Sequence, residues 1–320
     1  MRLDVIFVGN AIMDVLAPVS DGFLSTHAVD KGGMNLIDED RAVYLTENLP
    51  THEMQAGGSA ANSAYGLSSL GGRAGFVGQV RDDKLGTFFA EDMQDGAVTF
   101  QGKIAEEGPA TARSIILVTP DTARSMNTFL GSSIALGPQH ITADLNADVL
   151  YLEGYLFDAP DGPALFEKAA EVARMNNSKI AVSLSDSWCV ERHFDALSQY
   201  IKDHVDILFC NVEEMTALAG GISPAELAPW LACLSELVLT KGSDGARIYS
   251  NGEVADVPAM PIGTVQDTTG AGDLFAAGYL FGRVQEGYSL EQAGIVASKC
   301  AGEVICHFGA RPQITLSSLL

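Results

Sequence analysis

Four apolar runs, Val149-Leu-Tyr-Leu152, Ile180-Ala-Val-Ser-Leu184, Ile207-Leu-Phe209 and Leu237-Val-Leu-Thr240, recur roughly every thirty residues in this chain of 320 residues. Each is nearly continuous in apolar character rather than alternating, as expected of a strand covered on both faces. Between them the pattern changes to helical spacing, near 162–176, near 192–204 and in helices up to Trp230. Strand and helix in alternation predict a mainly parallel sheet with helices on both sides, a three-layer α/β/α sandwich.

The same reading extends outward in both directions. Val5–Val8 before Gly9 is a further buried strand, and Gly57-Gly58 opens a helix over Ser59–Leu70 with Gly71 as its C′ residue. Ala74–Val80 predicts a strand and 83–94 a helix. Past Thr240, runs 246–250 and 253–257 flank Asn251-Gly252, the pair suited to a type I′ hairpin turn. Two helices, about 271–285 and 289–306, close the pattern. Two stretches break it, roughly 15–50 and 97–130. They are expected to be strands and loops, with strands at 98–104 and 114–119. Together they would form a small β lid on a single domain spanning 1–320.

Composition narrows the function classes. A net charge of −22 opposes binding to nucleic acid or to an anionic membrane. The five cysteines are odd in number, widely spread and without Cys-x-x-Cys spacing, so neither a disulfide framework nor a zinc site is expected. No run of about 18 apolar residues is present. The expected location is cytoplasmic, and a small molecule the expected partner, for a monomer or a homodimer.

In an open α/β sheet ligands sit at the carboxyl ends of the strands, and the unusual polar residues fall there. Asp267-Thr-Thr-Gly270-Ala271-Gly272-Asp273 runs from a loop into an apolar helix. Small residues at 270–272 let backbone N–H groups approach an anion, and Asp273 is placed to accept a proton. A carboxylate at a helix start is also a common cap, so this run alone decides nothing. Neither a Gly-x4-Gly-Lys-Ser/Thr loop nor a Gly-x-Gly-x-x-Gly fingerprint occurs.

The longer run resembles the second signature of the PfkB, or ribokinase-like, carbohydrate kinase family. Gln55-Ala-Gly57-Gly58-Ser-Ala-Ala-Asn62 and the glycines after it look like the first signature. Asn211-Val-Glu213-Glu214 matches the family's Asn-x-x-Glu, and Thr240-Lys-Gly242-Ser-Asp-Gly245 its nucleotide-side turn. The resemblance covers almost the whole chain and implies the ribokinase-like fold and ATP-dependent phosphoryl transfer. Asp273 would be the base and Gly270, Ala271 and Gly272 the anion hole. Asn211 would lie by the ATP phosphates, with Glu214 organising Mg²⁺ through water, and Thr240, Gly242 and Gly245 would border ATP. Some members hold a monovalent cation, K⁺ among them, beside the residue matching Asp267.

The acceptor would be held by Asn10, Asp14, Gly57, Gly58 and Asn62, which can bind a vicinal diol, and by Arg124 of the lid. Gly9-Asn10-x-x-x-Asp14 and Ala123-Arg124-Ser125-Met126 look like adenosine kinases within the family, implying the ribose 5′-OH as acceptor. Apolar lid residues Ile12, Leu16, Leu36 and Phe129 would then sandwich the purine, although apolar residues at strand spacing more often face a core. Ser183-Leu-Ser-Asp186-Ser-Trp188 departs from that pattern. A sugar kinase acting on ribose, fructose or a keto-sugar acid stays open, as does a silent nucleotide- or sugar-binding protein.

Overall fold

The computed structural model describes residues 2–121, 123–285 and 287–320. Its larger sheet runs, edge to edge, through Glu253–Val257, Ala246–Ser250, Glu236–Thr240, Ile207–Asn211, Lys179–Ser183, Ala147–Glu153, Leu3–Val8, Ala74–Val77 and Thr99–Phe100. Every pairing is parallel except those made by Ala246–Ser250, which is antiparallel to both neighbours.

The continuous apolar runs are explained by two separate cores. Val5, Phe7, Val149, Tyr151, Ile207 and Phe209 point to one face, against helices Ser59–Ser69, Ala271–Leu280 and Leu290–Val304. Ile6, Val8, Leu150, Leu152, Leu208 and Leu237 point to the other, against Gly162–Asn176, Phe194–His204 and Val212–Ala219. A strand that must be apolar on both faces loses its alternation. The three-layer sandwich therefore stands as the sequence predicts, and so does the hairpin, whose Asn251 and Gly252 have φ of 48° and 86°.

Several boundaries differ from expectation. The stretch 15–50 holds two helices, Asp21–Thr26 capped by Ser20 and Glu39–Asn48 capped by Asp38, with few buried apolar residues in either, Leu24 in the first and Ala42 and Leu45 in the second. The helix read near 192–204 is Phe194–His204, and an unread short helix, Ser187–Arg192, precedes it and meets it at His193. The last turn of the helix read at 271–285 is a π-turn over Phe281–Gln285. The run 98–104 does not join the smaller sheet. Thr99–Phe100 adds to the edge of the larger sheet, and Lys103–Ala105 pairs with Gln79–Arg81. The chain kinks between them at Gly102, where any Cβ would overlap the Gly78 carbonyl and the Phe100 ring.

The smaller sheet has the order Met34–Leu36, Arg124–Phe129, Ala112–Val118, Ile12–Pro18, Glu53–Gly57. One face packs Ala17, Ile115 and Leu117 on the two short helices, with Phe129 against them. The other presents Ile12, Asp14, Ser114, Ile116, Met126 and Thr128 to a cleft of about 1020 Å³. The carboxyl ends of the larger sheet's strands form the opposite wall, through Asn10, Glu153, Ser183, Asn211 and Thr240.

Candidate active site

The Ala271–Leu280 helix begins at Gly270, whose φ of 78° lies in the left-handed region. That conformation favours glycine, and a Cβ there would also press within 2.8 Å of Ala310. No side chain caps the first turn; the Ala271 N–H donates to the Thr268 carbonyl at 3.2 Å, while those of Gly272 and Asp273 remain available to an anion, with Gly270 and Gly272 on the cleft wall. Ala271 sits between them but is not a lining residue.

Asp273 does not act as the cap that its position allows. Its carboxylate accepts hydrogen bonds from Ser59 Oγ at 2.6 Å and Asn62 Nδ2 at 3.0 Å, both on another helix. Ser63 Oγ donates to its backbone carbonyl at 3.0 Å. Burial raises the Asp273 pKa, opposed by the Ser59 and Asn62 hydrogen bonds and by the positive charge of Arg311. A carboxylate held by two donors and facing a cleft beside uncapped N–H groups can take a proton from a bound hydroxyl.

The Gly57-Gly58 turn allows this approach. A Cβ on Gly57 would overlap the Asp14 carboxylate, and one on Gly58, where φ is 96°, would overlap the Asn10 carbonyl oxygen. Asp14 lines the cleft with no hydrogen-bonding partner for its side chain among the described residues, and burial pushes its pKa up to about 7. Asn10 lines it too, its N–H bonded to Glu153 Oε1 at 2.7 Å.

Glu153 was not foreseen. Only 1% exposed, it receives Asn10 N–H on one oxygen and Ala60 N–H, at 2.9 Å, on the other. It therefore ties the end of the Leu3–Val8 strand to the start of the Ser59–Ser69 helix. Burial raises its pKa to about 7, against the pull of those two N–H groups. Its signal in the sequence was position, a carboxylate ending the apolar run 149–152, where Asn10 and Asn211 end theirs. Ser59 lies between Gly58 and Asn62, and a serine at a helix start reads as ordinary capping chemistry. Arg311 left no local signal.

Arg124 crosses from the smaller sheet to the loop before the helix. Its guanidinium pairs with Asp267 and donates to Thr269 Oγ1. Asp267 also accepts from Thr269 N–H at 3.0 Å and Gly309 N–H at 3.1 Å. The residue read as bordering a monovalent cation thus already meets a guanidinium, and Arg124 is not a lining residue of the cleft. Phe129, expected on the purine side, faces the opposite way. Strand side chains alternate, so Met126 and Thr128 take the cleft face and Phe129 the helix face. Ile12 and Leu36 do line the cleft, whereas Leu16 does not.

At the far end Asn211 caps Val212–Ala219 in a capping box. Its side chain accepts from Glu214 N–H at 2.8 Å, and Glu214 Oε2 accepts from Asn211 N–H at 2.9 Å. Burial pushes the Glu214 pKa up to about 7, and the nearby Asp186 charge adds to the rise. Thr240 lines the cleft, while Gly242 and Gly245 form the turn behind it with φ of 58° and 81°.

A profile of the pfkB family carbohydrate kinases matches residues 32–316. The chain belongs to that family. It is therefore a kinase, and this family generally uses ATP with a divalent metal. An adenosine kinase from Sinorhizobium meliloti is 39% identical with a TM-score of 0.90, over 100% of this chain and 98% of that one. A probable sugar kinase from Rhizobium etli CFN 42 is also 39% identical, with a TM-score of 0.89 over 99% and 97%. A nucleoside kinase from Methanocaldococcus jannaschii is 25% identical over 257 residues, 80% of this chain and 81% of that one. The donors at the Asn211 end suit the family's requirement: Glu214 and Asp186 are carboxylates on the cleft wall, hard oxygen donors fit for a divalent cation. Among the described residues no helix is long and apolar enough to cross a membrane.

Proposed function

We propose that this kinase phosphorylates the 5′-hydroxyl of adenosine, with Asp273 as general base. The hydroxyl oxygen attacks the γ-phosphorus of ATP, the bond to the β–γ bridging oxygen breaks, and the hydroxyl proton passes to Asp273. ADP and AMP leave. The observation that carries the assignment is the Asp273 carboxylate turned away from its own helix, held by Ser59 and Asn62 beside uncapped N–H groups.

Gly270, Ala271 and Gly272 then form the anion hole for the charge that develops on the transferring group. Asn211 and Glu214 would hold Mg²⁺ through water, and the ion would supply charge neutralisation at the phosphates. Thr240, Gly242 and Gly245 would border ATP. Asp14 has unused acceptor capacity, and Asn10 and Asn62 stand beside it, the set a vicinal diol requires.

Adenosine is favoured over a free sugar by the mouth of the cleft. Met34, Leu36, Ile134, Tyr155 and Trp188 are exposed large apolar side chains that line it, Trp188 at 71% exposure. A flat base would cover them, whereas a sugar would leave them in water. A keto-sugar acid lacks a partner, since Arg192 is the only cation among the described lining residues and already binds Asp158. The 39% identical probable sugar kinase keeps a neutral sugar as the second reading.

The test is ADP release from Mg-ATP with adenosine, ribose, fructose or 2-keto-3-deoxygluconate. Turnover on a sugar without turnover on adenosine overturns the substrate. Near-normal turnover by Asp273→Asn overturns the base.

A further inference from the structure

Arg311 lies 249 residues from Asn62 in sequence, yet its Nε–H donates to Asn62 Oδ1 at 3.2 Å. It is 8% exposed, and its burial is unusual for so polar a group. Two helices hold it, Ser59–Ser69 and Lys84–Asp95. Its guanidinium carbon lies 4.2 Å from the centre of the Tyr65 ring, Nη2 sits 3.3 Å from Met93 Sδ, and Asp92 Oδ2 stands 3.8 Å away. Asp92 in turn accepts from Ala56 N–H at 3.1 Å, next to the Gly57-Gly58 turn.

We propose that Arg311 is a positioning residue for phosphoryl transfer: by occupying Asn62 Oδ1 it fixes the amide so that Nδ2, never Oδ1, meets Asp273. An asparagine amide has two flip states that differ little in shape and completely in polarity. With Oδ1 turned to Asp273, two acceptors would face each other and the base would be misplaced. An arginine has no acceptor and cannot lose its proton at working pH, so it can pair with only one of those states.

The guanidinium has a second effect through space. The charged and titratable groups around it are Asp92, Tyr65, Asp14 and Asp273. Its positive charge lowers the pKa of both Asp14 and Asp273, against the burial that raises them. Loss of the charge should therefore move the acid limb of the rate profile upward, because Asp273 must be ionised to accept a proton.

The inference rests on Asp273 being the base, and the experiment separates the two. Steady-state rates with Mg-ATP and the best acceptor are measured for wild type, Asp273→Asn, Arg311→Met, Asn62→Ala and the double variant. Arg311→Met is expected to lower kcat about tenfold with little change in KM for ATP, and to shift the acid limb to higher pH. In the Asn62→Ala background the same change should cost less than twofold, since residues acting through one contact are not additive. Multiplicative losses, or an unchanged kcat and acid limb, overturn Arg311 as positioning residue even when Asp273→Asn is dead. An active Asp273→Asn overturns the base instead. If Arg311→Met does not fold, Arg311→Lys runs the same cycle: it keeps the charge and loses the fixed Nε–H. A lowered kcat with an unmoved acid limb then supports the proposal, and full activity overturns it.

Discussion

The two sheets of this protein bury their residues in opposite ways. The larger sheet is apolar on both faces and sealed between helices, so its strands can vary in sequence only within tight volume limits. The smaller sheet is sealed on one face alone, and its other face is the wall of the cleft. The difference separates two tasks. On the proposed function, the groups that would have to hold one geometry, Asp273 and the glycines beside it, stand on a helix packed against the sealed layer. Groups that would choose the substrate on that reading, such as Met34 and Leu36, stand on the half-open one.

The sharpest way to break this division is at the hinge between the sheets. Gly58→Ala puts a methyl group into the Asn10 carbonyl at a φ that alanine rarely adopts. The expected result is a fall in kcat of about a hundredfold, as misplacement near 1 Å can cause. A variant within threefold of wild type would show the turn to be adaptable. Next in size is Glu153→Gln, which keeps an acceptor for one of two buried N–H groups and turns an NH2 donor toward the other. A loss of about 1–3 kcal/mol in stability is expected, visible as a lower Tm together with a weaker KM for the acceptor.

A finer comparison pits two faces of one sheet against each other. Phe129→Ala should lower Tm by the effect of about 1–2 kcal/mol usual for a half-buried side chain, and leave KM unchanged. Leu36→Ala and Trp188→Ala should do the reverse, raising KM for a nucleoside several-fold at constant Tm. If Phe129→Ala altered KM more than Leu36→Ala, the assignment of faces would fail.

The smallest effect expected is on stability against pH. Asp14, Glu153 and Glu214 are all raised to about 7 in the folded chain. Between about pH 4.5 and 7 the folded state binds more protons than the unfolded one, so stability falls as pH rises through that window. His140, whose pKa burial lowers, opposes the trend below its ordinary value. Tm of the ligand-free protein should be a few degrees higher at pH 6 than at pH 7.5. A flat curve would mean these carboxyls are better solvated than their positions suggest.

The layers of the larger sheet were legible because burial on both faces leaves a plain trace, a run such as Ile207-Leu-Phe209 between helical stretches. Asn10, Asn62, Asn211 and Asp273 were legible because strand ends and helix starts are marked locally, whereas Asp14, inside the Ile12–Pro18 strand, was legible only through its spacing from Gly9-Asn10. Phe129 was not, because the face of a strand depends on register with a neighbour, which local sequence does not state. Arg311 was invisible for a related reason. Its partners are Tyr65, Asn62 and Met93, and nothing beside it in Gly309-Ala-Arg311-Pro312 shows that a guanidinium will be buried there.

The contacts around Asp273 also set when the molecule becomes competent. Ser59 and Asp273 are 214 residues apart, and Asn62 and Arg311 are 249 apart. A chain emerging from the ribosome can close the strands and helices of its first two hundred residues early, as local units. It has no Asp273 until synthesis has passed residue 273, and no guanidinium on Asn62 until synthesis has passed Arg311. On the proposed reading, a copy that stops short of Arg311 lacks the group that fixes the Asn62 amide, so its turnover should fall at least as far as that of Arg311→Met.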